Sequence, residues 1–146
     1  MATTYGSALA KIGVSIPGHL VADVEVPVIT GEPQGQGDIL AVPAEMDGFK
    51  IAAAIGYEPV PDTGVQVVTG ESTGNTHWLH RGFDSADVLW ARITDHPLVL
   101  GVVKVPDGQS AELIHTDEHG CNALGPGVYV LRGKQELADQ IRRVAD

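Results

Sequence analysis

The feature that most limits the fold is how short the apolar runs are and how abruptly they stop. Pro97-Leu-Val-Leu-Gly-Val-Val-Lys-Val105 is followed at once by Pro106-Asp-Gly-Gln109, and then by Ala111-Glu-Leu-Ile-His115. Proline presets φ and glycine takes positive φ, so the central tetrapeptide reads as a tight turn between two strands. The same punctuation recurs along the chain. In His19-Leu-Val-Ala-Asp-Val-Glu-Val-Pro-Val-Ile-Thr30, Leu20, Ala22, Val24 and Val26 alternate with Val21, Asp23 and Glu25, the period of a half-buried strand. Pro27 cannot donate to a ladder and marks an edge or an end. Residues 31–37 read as a breaker loop, 38–43 as a short buried strand, 49–55 as a strand or a helical turn, and 57–64 as a second loop. Residues 64–69 and 76–80 flank Gly70-Glu-Ser-Thr-Gly-Asn75 as a hairpin, and 87–93 adds another strand. The segment 113–132 reads as a strand, an acidic histidine-bearing corner, a glycine-rich turn and a closing strand.

About eight short strands with turns every eight to twelve residues predict a mainly β fold, either a small β-barrel or a two-sheet β-sandwich. After Arg132 the period changes: Leu137, Ile141 and Val144 fall at i, i+4 and i+7, which predicts a short C-terminal helix. Near the start, Ala8-Leu-Ala-Lys-Ile12 suits one helical turn, whereas Gly13 and the Val14/Ile16 alternation favour an extended stretch. We expect an N-terminal arm over 1–17 and a single β-rich domain over 18–146, as befits 146 residues.

Composition removes several function classes. Nineteen acidic against nine basic residues leave a net charge of −10, opposed to the clustered Lys and Arg on which phosphate affinity rests. No nucleic-acid partner is expected. One cysteine cannot make an intramolecular disulfide, and no run reaches the roughly eighteen apolar residues of a membrane-spanning helix. The first residues carry no basic and then apolar leader pattern. The expected setting is the cytoplasm, or a particle assembled there, with no membrane partner.

Chemistry-bearing side chains gather at the 113–132 corner: His115, Asp117, Glu118, His119, Cys121 and Asn122 lie within eight positions. His77 and His80 flank the other glycine-rich turn. Residues three apart in a strand point to opposite faces, so His77 and His80 cannot serve one site, whereas His115 and His119, four apart, can. A set of His77, His115 and His119 with Glu118, or Glu71, as carboxylate suits a divalent Zn, Fe or Ni ion, for which neutral imidazoles are good ligands. The plainer alternative is that these histidines are structural or surface residues. Cys121 stands in an acidic field, which raises a thiol pKa and opposes a nucleophilic role. Trp78 and Trp90 read as core or interface anchors. Neither glycine-rich loop ends in the Gly-Lys-Ser/Thr of a phosphate loop.

Gly70 to His77, with Leu124-Gly-Pro-Gly-Val-Tyr129 much later, resembles in outline the paired motifs of cupins. Asn75-Thr-His77 stands where a cupin has His-x-His, no glutamate follows, and no histidine follows the Pro-x-Gly turn. The order of motifs is closer to a small uncharacterised family from actinobacterial and phage or plasmid settings. The matching residues are Gln36-Gly37-Asp38, Gly70-Glu-Ser-Thr-Gly-Asn-Thr-His77, Glu118-His119-Gly120, and Leu124-Gly-Pro-Gly-Val-Tyr129 with Arg132 and Glu136. The resemblance covers 36 to about 143 and implies a shared fold and a shared corner. Asn75 departs from it, replacing the first histidine of the turn.

Two functional expectations follow. One is a non-enzymatic β-rich assembly or binding protein, a homo-oligomer or a component of a larger particle. The other is a small cupin-like metal-binding protein or metal-dependent enzyme that uses His77, His115, Glu118 and His119.

Overall fold

A computed structural model describes residues 3–12, 25–36, 39–68, 77–115 and 120–133. Within these the chain forms helix α1 (Tyr5–Ala10) and eleven strands. The strands are β1 (Val28–Ile29), β2 (Gln34–Gln36), β3 (Ile39–Pro43), β4 (Glu58–Pro59), β5 (Val65–Val68), β6 (His77–Arg81), β7 (Leu89–Arg92), β8 (Val99–Val105), β9 (Ala111–His115), β10 (Cys121–Leu124) and β11 (Gly127–Gly133). They make two sheets, ordered β1-β10-β9-β6-β5 and β2-β3-β11-β8-β7-β4. Apart from the parallel pair of β1 and β10, the neighbours run antiparallel. The fold is a two-sheet sandwich. The barrel alternative is corrected: the chain passes between the sheets five times, at β1/β2, β4/β5, β6/β7, β8/β9 and β10/β11, yet among the described residues the sheets keep separate hydrogen-bonded orders and do not close.

The core lies between the sheets. Leu79, Leu113 and Leu124 from the first meet Ile39, Val103, Tyr129 and Leu131 from the second, all buried. Each such side chain stabilises the fold by roughly 1.5–3 kcal/mol relative to exposure. Tyr129 also fastens a crossover. Its hydroxyl donates to the Gly125 carbonyl at 2.9 Å and accepts from the Gly31 N–H at 3.2 Å, so the ends of β1 and β10 are tied to β11. Gly101 on β8 is required by shape, because a Cβ there would stand 2.1 Å from the Trp90 ring.

Alternation decides which face each residue takes. On β9, Ala111 and Leu113 enter the inter-sheet core, while Ile114 packs outward with Cys121 and Ala123 of β10. That outer face is covered by α1, through Ala8 and Leu9. The helix forms where one helical turn competed with an extended arm. Its capping box explains why: Thr4 Oγ1 accepts from Ser7 N–H at 3.1 Å, and Ser7 Oγ accepts from Thr4 N–H at 2.9 Å. Other expectations change too. Of the two readings of 49–55, no strand forms: Ala52 to Ala54 are exposed, and a turn at Ala53 and Ala54 is closed by Ile55 N–H donating to the Ala52 carbonyl at 3.1 Å. Three strands were not foreseen: β2 and the short β4, both in stretches read as loops, and β10. The expected C-terminal helix and residues 19–24 of the expected strand at 19–30 lie outside the described residues, while β1 occupies that strand's far end.

Candidate functional site

Strands β6 and β9 pair so that His77 stands opposite His115 and His80 opposite Glu112. His77 and His115 belong to the inward face, at the end of the sandwich where both strands meet the segments 69–76 and 116–119. Their ring centroids are 4.1 Å apart at 47°, and both side chains are buried. Two of the four expected metal donors are therefore brought together. Glu118 and His119, like Glu71, lie outside the described residues; the backbone bracketing 116–119 is closed by His115 N–H donating to the Gly120 carbonyl at 2.9 Å. Among the described residues no three His, Cys, Asp or Glu side chains gather closely enough to hold a metal ion.

What surrounds the pair is a buried chain of amides. Gln36 Nε2 donates to the Leu113 carbonyl at 2.6 Å and to Asn122 Oδ1 at 2.9 Å. Asn122 Nδ2 donates to Gln34 Oε1 at 3.3 Å, and Gln34 Nε2 to the Ala123 carbonyl at 3.0 Å. Gln36 Oε1 then faces His77 Nδ1 at 3.1 Å. Gln34 and Gln36 are only 7% and 3% exposed, so the cost of burying two amides is offset by satisfying them. Both glutamines come from β2, and they bond backbone carbonyls of β9 and β10 in the opposite sheet.

Sequence reasoning placed Asn122 at the corner but missed Gln34 and Gln36 as site residues, and with them the network. Gln34-Gly35-Gln36 lies in a stretch read as a loop, and Cys121-Asn-Ala has little β propensity. The signal available was the spacing of two glutamines at i and i+2, which places both on one face of any strand they enter.

The outward face of the same strands carries a different cluster. Glu112 is wholly buried, and its carboxylate accepts from Lys11 Nζ and from the Thr3 hydroxyl. Lys11 Nζ also lies 4.6 Å from the centroid of the Phe83 ring. His80 sits beside them. Burial first, and then the Lys11 charge, push its pKa down to about 4 from the usual 6.5, so it is neutral at pH 7. Among the described residues its Nε2 has no hydrogen-bond partner, and its ring packs against Gly64, where φ is +81 and a Cβ would stand 2.4 Å from Nε2. Two clefts of about 330 Å³ flank the cluster and share Phe83; one is lined by Lys11 and Arg81, the other by Thr3, Glu25 and Glu112. Cys121 lies buried on this face. Burial and then Glu112 raise its thiol pKa, which Lys11 only partly offsets, so it is no nucleophile at neutral pH.

Set beside known proteins, the chain matches one family model, described as Domain of unknown function (DUF8820), over residues 35–134. The chain belongs to that family. The matched DUF8820 region holds His77, His115, Gln36 and Asn122, whereas Gln34, α1 and the Lys11 and Thr3 ends of the outer cluster precede it. No curated protein and no solved structure matches the chain. Among the described residues, no helix is long and apolar enough to cross a membrane.

Proposed function

We propose that this protein is a small β-sandwich binding protein whose ligand is a divalent transition-metal ion held by His77 and His115. The observation that carries the reading is the buried imidazole pair with His77 Nδ1 already engaged by Gln36 Oε1. Metal-ligating histidines characteristically give their other ring nitrogen to a carbonyl or carboxylate oxygen, which fixes ring orientation. Paired imidazoles suit Zn, Fe or Ni, and Glu118 and His119 are the residues to examine for the remaining ligands. Binding is favoured over catalysis because the one thiol is raised out of its reactive range on the opposite face. The finer likeness, to actinobacterial and phage-associated chains sharing the histidine corner, is part of the same proposal.

Elemental analysis of protein purified without a His-tag tests this. We expect close to one equivalent of Zn, Fe or Ni per chain, falling sharply in His77→Ala and in His115→Ala. Substoichiometric metal that is unchanged in both variants would sink the reading.

Self-association, the other expectation from the sequence, would find its longer sheet edges in β5 and β2, of four and three residues. Strands β1 and β4 are edges of only two residues each, one following Pro27 and the other containing Pro59, and such edges resist edge-to-edge pairing.

A further inference from the structure

We infer that Gln36, Asn122 and Gln34 are positioning residues that hold His77 as its Nδ1–H tautomer, so that Nε2 is the nitrogen it presents to a ligand. The ligand clause rests on the proposed metal-binding function; the tautomer does not.

The polarity of the chain is fixed from both ends. A backbone carbonyl only accepts, so the Gln36 atom 2.6 Å from the Leu113 oxygen must be nitrogen, and so must the Gln34 atom 3.0 Å from the Ala123 oxygen. Starting at Ala123, the other Gln34 atom is oxygen and must accept from Asn122 Nδ2, which turns Asn122 Oδ1 towards Gln36. Only a nitrogen of Gln36 can donate to that oxygen. Starting instead at Leu113 gives the same assignment for Gln36. Two independent anchors therefore agree, and Gln36 Oε1 is left facing His77. An oxygen there demands a donor, so Nδ1 carries the proton and the lone pair of the neutral ring lies on Nε2.

His96 provides the opposite case in the same chain. Its Nδ1 accepts from the backbone N–H groups of Leu98 and Val99, both at 3.0 Å, so its neutral form must be the Nε2–H tautomer. The two histidines should therefore give opposite ring-nitrogen signatures in one spectrum.

Long-range ¹H–¹⁵N correlation NMR of metal-free, ¹⁵N-labelled protein at alkaline pH reads this directly. We expect the Nδ1–H pattern for His77 and the Nε2–H pattern for His96. Gln36→Glu should keep the His77 pattern, because a carboxylate oxygen accepts from Nδ1–H as the amide oxygen does. Gln36→Leu should lose it and weaken cobalt(II) binding by about 10–100-fold, the usual effect of removing such a partner. A merely structural glutamine would make both variants alike. The inference is overturned if wild-type His77 shows the Nε2–H pattern, or if Gln36→Glu and Gln36→Leu give the same His77 pattern. If His77 shows Nδ1–H and Gln36→Leu abolishes it while no variant or wild type takes up cobalt, the positioning role stands and the metal reading falls. Should Gln36→Leu fail to fold, the wild-type and Gln36→Glu spectra still decide.

Discussion

Strands β6 and β9 carry a polar pair on each face, and the two pairs are built in opposite ways. Inward, His77, packed on His115, meets a chain of neutral amides in which every amide group has a directed partner. Outward, His80 and Glu112 meet a cation, Lys11, and among the described residues the buried His80 Nε2 has no hydrogen-bond partner. The first arrangement orients a ring. The second neutralises a charge, and it ties the N-terminal segment to the sheet through Lys11 and Thr3. Similar side chains a few residues apart thus acquire unlike roles, because an offset of three in a strand reverses the face.

The sharpest way to break this comparison is to remove one partner from each side. Lys11→Met leaves the buried Glu112 carboxylate without its cation and should cost about 3 kcal/mol in denaturant unfolding, as lost partners of buried ion pairs do. Gln36→Leu removes neutral hydrogen bonds only and should cost about 1–2 kcal/mol. Equal losses would mean that the outward pair is not a true buried ion pair.

The pH dependence should also come from the outward face. His80 has a folded pKa near 4, below its unfolded 6.5, so between these values the unfolded chain binds the proton and the native one does not. Stability should be intact above about pH 6.5 and fall by about 2–3 kcal/mol as the pH drops to about 4. His80→Leu should flatten that fall, which urea unfolding at a series of pH values would reveal. A smaller effect is expected at Gly64. Replacement by alanine places a Cβ against the His80 ring at a positive φ, and should cost about 1–2 kcal/mol by thermal melting. Smallest of all is the response of Cys121. Its thiol should label with a disulfide reagent only as fast as the native protein opens, and prompt labelling would show that the outer face is not sealed.

How much of this was legible in the sequence depends on where the side-chain period was visible. The hairpin of β5 and β6, the doubly buried β8 and the opposed faces of His77 and His80 follow from alternation and turn residues. The adjacency of His77 and His115 does not, since it depends on the register of β6 against β9. β10 is a strand because β9 offers it a ladder, not because Cys-Asn-Ala-Leu prefers one, and β2 is a strand despite Gly35 because β3 pairs with it. Those two tertiary overrides hide Gln34 and Gln36, and the way Asn122 joins them to organise the site. The choice between barrel and sandwich was hidden likewise, because closure is a property of strand order and not of any single strand.

The most direct test of the central claim is a cobalt(II) titration of metal-free protein, followed by visible absorption, in wild type and in His77→Ala, His115→Ala and His80→Ala. The account predicts saturation near one equivalent in wild type and in His80→Ala, and its loss in the two inward variants. Absorption that saturates alike in all four proteins, or that fails only in His80→Ala, would contradict it.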